Sequence, residues 1–190
     1  DKLLKKEFDL HRAQGTAHPL MKNYNIDAVP LDHPKIDEWR DALSGGIQYL
    51  HPETNFLITG GIDDVWVNTK GEFMIVDYKS TSKDGEVNLD AEWQIGYKRQ
   101  VEIYQWLFRQ NGFKVSDTAY FVYANGNTDK EAFDSKLEFD VSVLAYQGQT
   151  GWVMEVIDDL HKCLVSESLP TCGEDCDFCR YRDATQEIEM

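Results

Sequence analysis

Apolar residues recur along this chain with two different periods, and the switches between them lay out its elements. Residues 1–14 set Leu3, Leu4, Phe8 and Leu10 among Lys and Glu, which predicts an amphipathic helix that Gly15 ends. Pro19, Pro30 and Pro34 make residues 15–34 read as loop. Pro34 then opens a second predicted helix, IDEWRDALSGGIQYL, packed through Ile36, Trp39, Leu43, Ile47 and Leu50. Residues 56–67 and 72–79 are rich in Ile, Val, Phe and Trp around the turn Asn68-Thr69-Lys70-Gly71, and predict a β-hairpin. The period lengthens over residues 90–110, where Trp93, Tyr97, Val101, Tyr104, Leu107 and Phe108 recur at helical spacing until Asn111-Gly112. Strands are expected again at 118–123 and 137–143, a helix at 152–166, and a Cys-rich strap at 170–182.

This order predicts an α/β fold with a mixed central β-sheet flanked by helices. At 190 residues and 42% hydrophobic, the chain suits one domain. Within it we expect an N-terminal helical region (1–54), a catalytic core (55–145), and a C-terminal helix with the Cys strap (146–190). The chain starts at Asp1, inside a helix-like run, as expected of the core of a longer protein. No apolar run approaches the roughly 20 residues of a membrane span, so no membrane partner is expected.

Charge changes the picture in one respect. The formal net charge of −15 repels a phosphate backbone at long range, but screening over roughly 8 Å leaves room for a local basic groove. Lys79, Lys83, Lys98, Arg99 and Arg109 lie near the candidate chemistry in sequence. Three of the four cysteines fall within eight residues, unlike a dispersed disulfide framework; a reducing cytoplasm with a metal or cluster is the expectation.

The candidate chemistry sits in GGIDDVWVNTKGEFMIVDYKS, residues 60–80. In the strand IVDYKS, Asp77 and Lys79 share one face because side chains alternate. If the hairpin pairs in register about its turn, Asp63 lies close enough to Asp77 for both carboxylates to share a divalent ion. Such hard oxygen ligands suit Mg²⁺ or Mn²⁺, which retain waters and accept phosphate oxygens. Lys79, kept protonated by its neighbours, can orient water or neutralise charge developing on a phosphate. Gln100 and Tyr104, four residues apart on the long helix, can reach the same cleft.

GGIDDVW, IVDYKST and Gln100-x-x-x-Tyr104 together resemble the consecutive motifs of RecB-type PD-(D/E)XK nucleases, the group of the RecB and AddB nuclease domains and the CRISPR-associated RecB-like exonucleases. The resemblance implies a restriction-endonuclease-like core with Asp63 and Asp77 as metal ligands, Tyr78 lending its backbone carbonyl, Lys79 catalytic, and Gln100 and Tyr104 supporting. Relatives often add a His or Glu from an N-terminal helix; His11 and Glu7 are candidates here, and His18 is the favoured one. The resemblance also implies that the strap's Cys172, Cys176 and Cys179 hold a [4Fe–4S] cluster, with Cys163 as a candidate fourth ligand. No Cys precedes Cys163, whose core-like place in its helix reads more readily as a buried thiol than as a ligand.

The expected function is therefore a metal-dependent DNA nuclease, an exonuclease acting on single strands or ends, with a helicase or DNA-repair complex as a further partner. Three plainer readings stand beside it. The acids can be an ordinary surface ion pair, worth at most about 1 kcal/mol. The fold can be a catalytically idle module that binds DNA or a partner. The cysteines can hold Zn²⁺ in an interaction protein. Lys98 and Arg99 are candidate phosphate contacts. Trp93, Tyr97, Trp106 and Phe108 can stack on unpaired bases or fill the core.

Overall fold

The β4–β5 hairpin organises the fold in the computed structural model, which describes residues 2–188. Strand β4 (Asp64–Asn68) pairs antiparallel with β5 (Phe73–Thr81), Val67 opposite Phe73 and Asp64 opposite Val76. Their turn closes as predicted: Gly71 takes φ +72°, and its N–H donates to the Asn68 carbonyl at 2.9 Å. On its other edge β5 runs parallel to β6 (Thr118–Gly126), which pairs antiparallel with β7 (Phe139–Gln147). Adding β1 (Ala28–Pro30) beside β4 gives a mixed, five-stranded, curled sheet in the order β1-β4-β5-β6-β7. A parallel pair needs a long crossover, and helix α4 (Ile95–Gln110) supplies it between β5 and β6.

Period-two alternation along β5 decides what each face meets. Val76 and Tyr78 face a cluster of Phe8, Met21, Trp66 and Val122, with Phe8 contributed by helix α1 (Lys2–Gln14). The Phe8 ring lies 5.4 Å from Trp66 and 5.7 Å from Tyr78. Ile75 and Asp77 face the other way, the side covered by the buried Val101, Tyr104, Leu107 and Phe108 of α4. Restriction-endonuclease-like α/β architecture is thus present, with helices on both faces of a mixed sheet.

The structure departs from the sequence expectation in four places. Residues 15–34 are not all loop: Pro19 opens α2 (Pro19–Asn23) with His18 as its N-cap, and β1 follows. The expected helix over 35–50 is only α3 (Ile36–Arg40); Gly46 at φ +88° ends that segment, and residues 47–51 form β2 (Ile47–His51). The alternation Ile47, Tyr49, His51 was the decisive period, whereas Leu43, counted on the helical face, is fully exposed. Strand β2 pairs with β3 (Phe56–Gly60) as a separate two-stranded sheet. The strand expected over 56–67 therefore breaks at residues 61–63, and the Cys strap contains a helix, α6 (Asp177–Ile188).

The break has a steric cause. A Cβ on Gly60 would lie 2.6 Å from the Tyr104 ring, and one on Gly61 2.6 Å from the Ala42 backbone, so only glycines let the chain pass between α4 and the segment after α3.

The chain divides into two compact units, with the division at Val153 inside helix α5 (Trp152–Val165). The second unit holds the rest of α5, the strap and α6. Among the described residues no helix is long and apolar enough to cross a membrane.

Candidate active site

The break after β3 lets Asp63 reach the centre of the site. A strand continuing back from Asp64 would have taken the outward N–H of Tyr78 into its ladder. With that ladder ended, Asp63 Oδ2 accepts the Tyr78 N–H at 2.8 Å. Asp63 thereby lies beside Asp77, held by the backbone of the residue between Asp77 and Lys79.

Asp77 is 2% exposed, and the Lys79 ammonium stands 2.7 Å from its Oδ2. Burial pushes the Asp77 carboxyl up to about 6, against the pull of Lys79 and helped by the charge of Asp63. Lys79 Nζ also donates to Gln100 Oε1 at 3.3 Å, and Gln100 Nε2 donates to the Tyr104 hydroxyl at 2.8 Å. Burial raises the Tyr104 hydroxyl as well, keeping it a neutral donor. Asp63, Asp77, Lys79, Gln100 and Tyr104 are thus brought into one connected group, from three elements distant in sequence.

Further participants stand outside the expected catalytic set. Lys5 of α1 reaches Asp63 Oδ1 at 2.8 Å, placing a second ammonium at the site. Behind it lies Asp64, fully buried, which accepts from Arg12 Nη2 at 2.5 Å, Arg40 Nη2 at 3.1 Å and the Tyr78 hydroxyl at 2.7 Å. Arg40 also donates from Nε to the Asp63 carbonyl at 2.9 Å and pairs with Asp9. Burial alone would lower the Arg40 guanidinium; Asp64 and Asp9 outweigh it and leave it raised. Burial and the Asp64 charge hold the Tyr78 phenol protonated, well above its ordinary value. Two Arg and two Asp make this network neutral, as a buried ionic cluster must be. The signal for it was the Asp63-Asp64 doublet: adjacent strand residues face opposite ways, so only one of the two can serve the cleft.

The other candidates separate. His18 packs among the N-terminal helices. Its Nδ1 accepts the Leu20 N–H at 3.1 Å, its Nε2 meets Glu7 at 2.9 Å, and its ring stacks on Phe8. Both nitrogens are thus engaged within the N-terminal helices, in place of the metal expected at His18. Arg99 lines a hollow of about 440 Å³ beside Gln100 and Tyr104, whereas Lys98 turns toward the Tyr146 ring, 5.9 Å from its centroid. Trp106 and Phe108 are buried core; Trp93 is 66% exposed.

In the second unit the structure joins Cys172 to Cys179 as a disulfide and leaves Cys176 a free thiol. Disulfide sulfurs are not thiolate ligands, so this arrangement differs from the expected three-thiolate site. Cys163 is exposed near the end of α5, with Leu164 and Val165 also exposed beside it, which corrects its reading as a buried thiol.

The donors near Asp77 are hard carboxylate oxygens. Among the described residues no three His, Cys, Asp or Glu side chains converge into an all-protein cage. Two carboxylates with adjacent backbone, one of them buried with only an ammonium against its Oδ2, fit a hard ion completed by water and phosphate oxygens, which is how Mg²⁺ is held.

A family model described as the PD-(D/E)XK nuclease superfamily matches residues 4–184. Comparison with curated proteins found no match. Among solved structures, one described as the crystal structure of SSO0001 is 19% identical, with a TM-score of 0.35 over 67% of this chain; the chain matches half of that structure's length.

Proposed function

Because the chain belongs to the PD-(D/E)XK nuclease superfamily, we propose that Asp63, Asp77 and Lys79 make it a metal-dependent deoxyribonuclease of the RecB type, acting as an exonuclease on single strands or DNA ends. The observation that carries this reading is the meeting of the three side chains at the end of the β4–β5 hairpin, with Lys79 2.7 Å from Asp77. Asp63, Asp77 and the Tyr78 carbonyl are the groups that would hold Mg²⁺ or Mn²⁺. Such an ion supplies charge neutralisation at the phosphate and a more acidic bound water. Lys79, hydrogen-bonded to Gln100, is aimed by Tyr104 through that amide, so its ammonium stays fixed where charge develops on a phosphate oxygen. Arg99, on the rim of the adjoining hollow, offers a guanidinium to the strand's phosphates.

The test is digestion of end-labelled single- and double-stranded DNA with Mg²⁺, Mn²⁺ or EDTA. Cleavage is expected only with metal, from the end inward, and should fall at least about 10²-fold in Lys79→Ala and Asp77→Ala. Full activity in Lys79→Ala would remove that residue from the mechanism.

For the strap we propose a structural site in which Cys172, Cys176 and Cys179, in their reduced form, bind iron–sulfur or Zn²⁺, with Cys163 as the candidate fourth thiolate. The C-x₃-C-x₂-C spacing supports this. Anaerobic purification with iron and zinc analysis decides it: no stoichiometric metal means that the disulfide is the strap's resting form.

A further inference from the structure

A cavity of about 270 Å³ opens directly beyond Lys79, and the mechanism above does not use it. Lys79, Lys83, Trp93, Gln94, Tyr97 and Tyr123 are among the residues that line it. Resting on the nuclease reading, we propose that this cavity is a subsite for one unpaired nucleobase of the substrate strand, stacked on Trp93, and that it makes the protein select single-stranded DNA.

Four observations converge on this assignment. First, the cavity and the reaction centre share Lys79: its Nζ lies 2.7 Å from Asp77 and 4.2 Å from the centre of the Tyr97 ring, so a nucleotide seated here places its phosphate beside the carboxylates. Second, Trp93 is 66% exposed, although every other aromatic that shares its helical spacing is buried or half-buried, and its ring meets Tyr97 in a T-shaped contact at 5.4 Å. Third, the floor is polar and ordered. Tyr123 is buried against the Gln94 amide, and Gln94 itself is fixed by the Ala91 N–H and the Asn88 carbonyl. Fourth, the wall is rigid: Asn125 clamps the Lys83 backbone through two bonds of 3.0 Å, holding a cation at the rim for an adjacent phosphate.

Size and chemistry select the ligand. The cavity lies just below the roughly 300–1,000 Å³ of drug-sized ligand sites, which suits one planar base. A base within a duplex is already stacked and paired and cannot enter, so the preference for single strands follows from the geometry. Because aromatic stacking tolerates every base, no sequence preference is expected.

The test separates binding from cleavage. Fluorescence anisotropy in EDTA compares a labelled single-stranded oligothymidylate, the same oligonucleotide with consecutive abasic sites, and a duplex, on the wild type, Trp93→Ala and Trp93→Phe. We expect Trp93→Ala to weaken oligothymidylate binding by about 5- to 100-fold, Trp93→Phe to restore most of it, and the abasic and duplex affinities to stay unchanged. Equal binding of oligothymidylate by wild type and Trp93→Ala, or no wild-type preference for it over the abasic strand, overturns the proposal. If the binding differences appear but the wild type cleaves nothing with Mg²⁺ or Mn²⁺, the base subsite stands and the nuclease reading is what fails.

Discussion

Asp77 illustrates how burial sets chemistry at a single residue. Its carboxyl is pushed up to about 6 by desolvation, so the folded chain keeps a proton there that the unfolded chain releases near 3.8. Between those values the folded state is the better proton binder, and stability falls as pH rises through them. In EDTA, Asp77→Asn, which cannot ionise, should therefore gain on the wild type across this window, from nothing near pH 4 to about 3 kcal/mol at pH 7. Urea unfolding at a series of pH values checks it, and a difference that does not change with pH would refute the shift. An ion bound by Asp63 and Asp77 reverses the preference, since a divalent charge favours the ionised carboxylate. The site thus carries a destabilised anion until a cation joins it.

At the scale of elements, Asp64 ties three segments together. It sits on β4 and takes donors from Arg12 on α1, Arg40 on α3 and Tyr78 on β5, while Arg40 grips the Asp63 carbonyl. Removing the charge by Asp64→Asn leaves two buried guanidinium groups with only Asp9 to balance them, and should cost about 3–5 kcal/mol in urea unfolding. Adding Arg40→Met to that variant should cost much less than Arg40→Met alone, because the partner charge is already gone. Additive losses would show that the pair is not coupled. The same network explains why α3 is only five residues long: its role is to present Arg40 and Trp39 before Gly46 turns the chain into β2.

For the whole molecule, the −15 net charge gathers divalent cations loosely over the surface as well as at any specific site. A specific site is distinguished by linkage. Mn²⁺ at about a hundred times its dissociation constant should raise the unfolding free energy by about 2.7 kcal/mol, and EDTA should return it to the metal-free value. The increment should vanish in Asp63→Ala. If Asp63→Ala keeps the full increment, the stabilisation comes from diffuse binding, and the two carboxylates do not form the site.

Local physics made much of this protein legible from its sequence. Period-two alternation around an Asn-to-Gly turn specifies the β4–β5 hairpin, and period 3.6 ending at Asn111-Gly112 specifies α4, because both depend on neighbours along the chain. The grouping of Asp77 with Lys79, and of Gln100 with Tyr104, follows from the same two periods. What the chain pattern does not encode is what arrives opposite a given face. The failure over residues 35–50 shows this, since Trp39, Leu43, Ile47 and Leu50 happen to fit a helix, while the strand pairing with β3 is a long-range choice. Likewise, only the fold could bring Lys5 to Asp63, occupy both nitrogens of His18, bury Asp64 between two arginines, and leave Trp93 in solvent while Trp106 entered the core. Sequence periodicity determined which residues share a face; tertiary packing decided which faces meet, because burial, pairing and pKa are properties of the space between elements.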